Sequence, residues 1–206
     1  MRVMTLTLED GEFLVRLARN AIETRLREGR RIEPSAPERL MEPRGVFVTL
    51  NKVEGAHRLR GCIGYPYPER PLAEAVVDAA ISAALHDPRF KPVSLEEMDE
   101  IVVEVSVLTI PERIVVEKPE DYPRHIVIGR DGLIVSRGGF RGLLLPQVPI
   151  EWGWDAEEFL TQCCLKAWLP PDAWLLPDTE VYRFQAEIFA EEEPRGRVVR
   201  IELERR

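Results

Sequence analysis

The chain predicts an α+β fold: an antiparallel or mixed sheet flanked by helices, with a larger and a smaller lobe. Three observations carry that expectation. Its extended runs come in pairs joined by short polar loops, which are hairpin connections and not the long crossovers that parallel strands need. Amphipathic helices interrupt these runs without alternating one for one with them. No glycine pattern of the dinucleotide or phosphate-loop kind follows a strand, so a Rossmann unit is not supported.

At 206 residues with 45% hydrophobic content, the chain can build one large domain or two small lobes around a real core. A net charge of -8 argues against the broad basic surface that bulk nucleic acid or an anionic membrane requires, and any bound anion must be held by a local arginine pocket. No apolar run has the length of a membrane span, and the N-terminus lacks the apolar core and cleavage site of a signal peptide, so the expected compartment is the cytoplasm. Three cysteines, two of them the neighbours Cys163 and Cys164, make a disulfide scaffold improbable and offer no paired zinc spacing. No metal site is expected, and no cofactor is indicated. Arginine-dominated basic charge and 17 prolines fit a thermophile or a GC-rich genome.

Thr7-Leu8-Glu9-Asp10 resembles a capping box with Asp in place of Glu, and Leu14, Leu17, Ala18, Ala21 and Ile22 then recur at helical spacing until Gly29. The basic stretch from Arg30 to Arg44 breaks that helix. Val46 to Leu50 reads as a strand and pairs with the next run through a short loop, which sets Thr49 across from the second strand. Pro71 opens a second helix whose alanine-rich stripe permits close approach to a sheet and which ends near His86, before Asp87-Pro88. Ser94-Leu95-Glu96-Glu97 is a full capping box ahead of a strand from Ile101 to Leu108. The proline-rich stretch from Ile110 to Pro123 is a candidate hinge. Asp131-Gly132 predicts a hairpin between strands at 125–129 and 133–136. Asp155 caps a third helix reaching Trp168, and one strand through Tyr182 and Ile188 precedes a Glu-rich turn and a final strand around Val199, Ile201 and Leu203. The expected organisation is one domain over residues 1–190, with a smaller lobe within about 111–150, followed by a C-terminal turn and strand over 191–206.

The most pointed chemistry lies in Leu59-Arg60-Gly61-Cys62-Ile63-Gly64. Strict alternation puts Arg58, Arg60, Cys62 and Gly64 on one face and Leu59, Gly61 and Ile63 on the other. Glycines in a strand mark a bulge, a close backbone or a ligand. Cys62 is a candidate nucleophile whose thiolate Arg60 would favour, weighed against a plain role as a small packed residue. His86 could approach it as a base. Arg60 and Arg89 could clamp a carboxylate or phosphate, with Glu104 as acid or base; the same groups also fit an internal ion-pair network. Ser106 and Thr49 fit either account. For Cys163-Cys164, packing is favoured, with one thiol toward the core and the other at its edge. Trp152-Gly153-Trp154 either lines a pocket mouth or anchors the start of the third helix.

Taken in order, Leu59 to Gly64, Asp87-Pro88-Arg89-Phe90, Glu104 to Leu108, Gly142-Leu143-Leu144-Leu145-Pro146-Gln147-Val148 and Cys164-Leu165-Lys166-Ala167 resemble the AMMECR domain family, named for a human chromosomal region. The likeness runs from about Gly11 to Ile188. It implies an α+β fold of two lobes, with a cleft lined by signature residues that here are Arg60, Cys62, Asp87, Arg89, Phe90, Glu104, Ser106 and Gln147; Gly61 and Gly64 of the motif are expected to join them in contacting a ligand. The family has no established activity. Some relatives are fused or associated with a Memo-like protein and a radical S-adenosylmethionine protein, which implies a shared modification pathway. Trp168 departs from the glycine many relatives carry there. The expected function is an enzyme or binding protein for a small anionic ligand, with Cys62 and Glu104 as catalytic groups; the alternative is a protein-interaction subunit of a modification complex, with the motif structural.

Overall fold

In a computed structural model, which describes residues 6–54 and 58–202, the chain forms two compact units. The first takes the described residues up to Leu108 together with Glu187–Ile201, and the second takes Thr109–Ala186. Mixed helices and antiparallel sheets make this an α+β fold, as the hairpin connections imply.

The first unit is built on a five-stranded sheet in the order β2-β1-β3-β8-β9: β1 Val46–Lys52, β2 Leu59–Tyr65, β3 Ile101–Leu108, β8 Ala186–Glu191 and β9 Val198–Ile201. Helices α1 (Leu8–Glu28) and α2 (Leu72–Leu85) cover one face, and their apolar stripes meet Val46, Val48, Leu50, Val103, Val105 and Val107 in a single core. The predicted start and stop of α1 both form: Thr7 and Asp10 exchange capping hydrogen bonds, and Gly29 closes the helix at φ 71°. One core residue escapes the hydrophobic pattern. Arg19, buried among the apolar residues of α1, donates to both oxygens of buried Glu191 at 2.7 and 2.6 Å, and Glu191 also accepts from the Val103 amide. That pairing satisfies two groups whose burial alone would be costly, and it ties α1 to β3 and β8.

The second unit has a four-stranded sheet, β4-β7-β5-β6, with β4 Glu112–Arg113, β5 Gly132–Arg137, β6 Phe140–Leu144 and β7 Glu180–Phe184. A short helix α3 (Val148–Trp152) precedes α4 (Ala156–Lys166), which Asp155 caps as expected and which packs Phe159, Leu160, Cys163 and Cys164 against Leu133, Val135 and Val181. Both cysteines are fully buried, so neither sits at the core's edge.

Two strand assignments change. The strand expected at 125–129 does not form: His125 ends a 3-10 helix over Pro119–His125, and residues 126–129 run as loop and turn, where buried Asp131 accepts through its carboxylate from the Val127 amide and from Arg130. The hairpin is β5–β6 and turns at Gly138-Gly139, both at positive φ, a conformation that favours glycine. Gly132 is glycine for a different reason: a Cβ there would lie 2.3 Å from the Phe184 ring. The single strand expected through Tyr182 and Ile188 is two, β7 and β8, divided at Gln185 where the chain leaves the second unit for the first. Leu203 and His57 lie outside the described residues.

Candidate functional site

The β1–β2 hairpin sets Thr49 opposite Cys62, and the β1–β3 register sets Thr49 opposite Glu104. Cys62, Thr49 and Glu104 therefore form one row across three adjacent strands, on the face turned away from α1 and α2. The next row is Gly64, Phe47 and Ser106. Strand spacing makes the first row about 10 Å long at the backbone. Cys62, Thr49 and Glu104 are half-buried, and Ser106 is buried.

β2 is the edge strand of its sheet. An edge strand leaves alternate backbone groups unpaired, and here those of Cys62 are taken by the loop after α2. The Asp87 carboxylate accepts from the Cys62 amide at 2.9 Å, and Arg89 Nη2 donates to the Cys62 carbonyl at 3.3 Å. Because the Cys62 backbone points outward, its pairing with Thr49 is the narrow kind that brings side chains together, and Thr49 Oγ1 lies 3.3 Å from Cys62 Sγ.

The two arginines are already engaged. Arg89 donates to Asp87 through Nε at 2.9 Å and Nη2 at 2.7 Å, and this pairing, with the Cys62 and Arg89 amides, holds the Asp87 carboxyl far below the usual carboxylate range. Arg60 makes a bidentate pair with Glu97 at 3.0 and 2.9 Å and donates to the Lys91 carbonyl at 2.9 Å; it holds Glu97 down to about 2. Phe90 lies between these duties, its ring centroid 6.0 Å from the Arg60 guanidinium and 5.4 Å from that of Arg89. The arginines thus meet Glu97 and Asp87, not Glu104. They differ in openness: the Arg60 side chain is 12% exposed and the Arg89 side chain 53%.

The shared face expected for Arg60 and Cys62 does not form as alternation predicts. Leu50 pairs with Gly61 while Asn51 pairs with Leu59, so Arg60 is the extra residue of a β-bulge. The bulge releases Arg60 toward Glu97 and puts Leu59 in register with Asn51. Both motif glycines answer to packing and not to a ligand. A Cβ on Gly61 would lie 2.1 Å from the Ala83 carbonyl oxygen of α2, and one on Gly64 would lie 2.4 Å from both the Phe47 ring and the Val46 carbonyl oxygen.

Burial raises the Cys62 thiol above its ordinary 9.0; the Thr49 hydrogen bond and the Arg89 charge only partly oppose this. Burial likewise raises Glu104 above 4.5, partly offset by its hydrogen bond with Ser106. The row therefore presents a neutral thiol and a carboxyl that holds its proton to higher pH than usual. The groups acting on the thiol are Thr49, Arg89, Glu104 and Asp87; His86 instead lines a hollow bordered by Arg25, Arg31 and Tyr65. Gln147 belongs to the second unit, where it occupies the position before α3 without a side-chain capping bond and its Oε1 is buried without a hydrogen-bond partner. The second unit also exposes Trp152, stacked on Trp154 at 6.0 Å, and Trp168, 88% exposed.

Glu97, Arg19 and Glu191 were not among the expected partners. Glu97 carried one signal, the capping box, and it performs that duty with Ser94 while also holding Arg60. Among the described residues no group of His, Cys, Asp and Glu side chains could hold a metal ion, and no helix is long and apolar enough to cross a membrane.

Comparison with known proteins agrees with this architecture. A protein of Thermococcus gammatolerans is 63% identical over 196 residues, covering 93% of this chain and 95% of its own length. A protein of Methanocaldococcus jannaschii is 57% identical over 198 residues, covering 96% and 98%. The crystal structure of the uncharacterized protein PH0010 from Pyrococcus horikoshii superposes with a TM-score of 0.86 at 61% identity, covering 94% of this chain and 97% of that one. The AMMECR1 family model matches residues 15–189, and with relatives this similar along nearly their whole length, the chain belongs to the AMMECR1 family.

Proposed function

We propose that the sheet face bearing Cys62, Thr49, Glu104 and Ser106 binds a small anionic molecule, with Glu104 exchanging a proton with it. The observation that carries this reading is the register row, which lines up a thiol, a hydroxyl and a carboxyl on adjacent strands beside a half-exposed guanidinium. A row about 10 Å long fits contacts to two ends of one small molecule better than direct proton transfer between Cys62 and Glu104. Arg89 is the cation for the ligand's charge, since Arg60 is largely covered and committed to Glu97. A carboxyl that holds its proton to higher pH than usual suits an acid–base role. The neutral thiol suits a polar contact, and nucleophilic attack by Cys62 would need a proton acceptor brought by the ligand.

The test is thermal stabilisation by a panel of small carboxylates and phosphate esters. We expect at least one compound to raise the melting temperature of the wild type, Arg89→Ala to abolish that rise and Cys62→Ala to reduce it, with both variants remaining folded. A panel that stabilises neither wild type nor variants sinks the reading. The second reading, a protein-interaction subunit, draws on the exposed Trp152 and Trp168. A stoichiometric partner from native cells whose binding is lost on Trp168→Ala and unaffected by Cys62→Ser would favour it.

A further inference from the structure

On the helix side of the first unit, away from the Cys62 row, α1, α2 and the end of β2 enclose an open hollow of about 270 Å³. Its donors converge from four segments: Arg25 from the last turn of α1, Arg31 from the loop beyond Gly29, Tyr65 from β2, and Ser82 and His86 from the end of α2. Asp78 is the scaffold. One of its oxygens accepts from Arg31 Nε at 2.7 Å and the other from Arg70 Nη1 at 3.1 Å, and the Arg70 guanidinium lies 4.6 Å over the Tyr65 ring. A single carboxylate thus positions two guanidiniums and fixes the aromatic wall.

Arg31 also pairs with Glu33 at 2.8 Å, whereas Arg25 has no carboxylate partner among the described residues and spends one nitrogen on the Gly29 carbonyl. Among the lining residues, Arg25 and Arg31 against Asp78 leave one net positive charge here, on a chain whose overall charge is -8. A locally cationic concavity on an acidic protein concentrates anions. Guanidinium, hydroxyl, phenol and imidazole donors arriving from several directions match an acceptor with several oxygens around one centre better than a planar carboxylate. The volume is at the small end for ligand pockets, which limits the organic part.

We propose that this hollow is a binding site for a small phosphomonoester, separate from the Cys62 row. The experiment is calorimetric titration of the full chain with ribose 5-phosphate and with inorganic phosphate, at constant ionic strength set with chloride. Wild type should bind ribose 5-phosphate, and Arg25→Ala and Ser82→Ala should each weaken it by about tenfold or more, the loss expected for one hydrogen bond to a charged group. Circular dichroism checks that both variants keep the fold, and Arg124→Ala, which removes an exposed arginine of the second unit that belongs to neither site, should bind as wild type does. No binding by wild type, or binding that chloride suppresses as well as phosphate does, overturns the site. So does binding that survives Arg25→Ala and Ser82→Ala but is lost in Arg89→Ala, which would assign the anion to the Cys62 face instead.

Discussion

Gly61 can be replaced by nothing larger without moving α2, because the obstacle to its Cβ is a backbone carbonyl 2.1 Å away and not a side chain that could rotate. Gly61→Ala should therefore cost about 1–3 kcal/mol or more, read as a lower denaturant midpoint at unchanged slope. Glu104 leads to the opposite expectation. Its folded pKa lies above 4.5, so the neutral acid favours the fold, and that contribution is present below 4.5 and lost as pH rises through the folded value. Glu104→Gln should raise the melting temperature at neutral pH and leave it nearly unchanged in acid. A stabilised variant that has also lost ligand would mean the native carboxyl is kept at a cost to stability. The chemistry of these residue types was legible in the sequence, but their pairing was not. Arg60 sits two positions from Cys62, yet a bulge, which alternation cannot anticipate, hands it to Glu97.

At the scale of elements, the end of α4 is the most unusual. The Leu169 amide bonds to the Cys164 carbonyl and the Trp168 amide to that of Leu165, a Schellman pattern whose left-handed position normally belongs to glycine. Here Trp168 occupies it at φ 61°. The helix end is thus unchanged by the tryptophan, and the strain is carried by a side chain that is 88% exposed and gains little from packing. Trp168→Gly should stabilise the protein by about 0.5–1 kcal/mol after glycine's greater unfolded entropy is subtracted. Elements with local signals were readable: capped α1, α4 and the Ser94–Glu97 turn, and the β1–β2 hairpin. The β5–β6 hairpin was misplaced because Asp131-Gly132 is a strong local turn signal, while the buried Asp131 carboxylate and the Phe184 ring that explain those residues come from elsewhere in the chain.

At the scale of the whole molecule, acid should act through the carboxylates held low by arginine. Glu97, down at about 2 from 4.5, contributes stability that is fully present above 4.5 and is lost as pH falls toward 2; Asp87 follows at still lower pH. The melting temperature should fall across that window, and Glu97→Gln should flatten the upper part of the decline. The chain leaves the first unit after Leu108 and returns at Glu187. At that crossing the Thr109 amide donates to the Gln185 carbonyl and the Gln185 amide to Thr109 Oγ1, both at 2.8 Å. Entry and exit are therefore neighbours, and the second unit is an insertion within the chain of the first. Joining Leu108 to Glu187 through a few glycines should leave a shortened protein whose five strands and two helices still fold cooperatively, because only Ala186 at the start of β8 is lost from the sheet and the Arg19–Glu191 pair lies outside the excised segment.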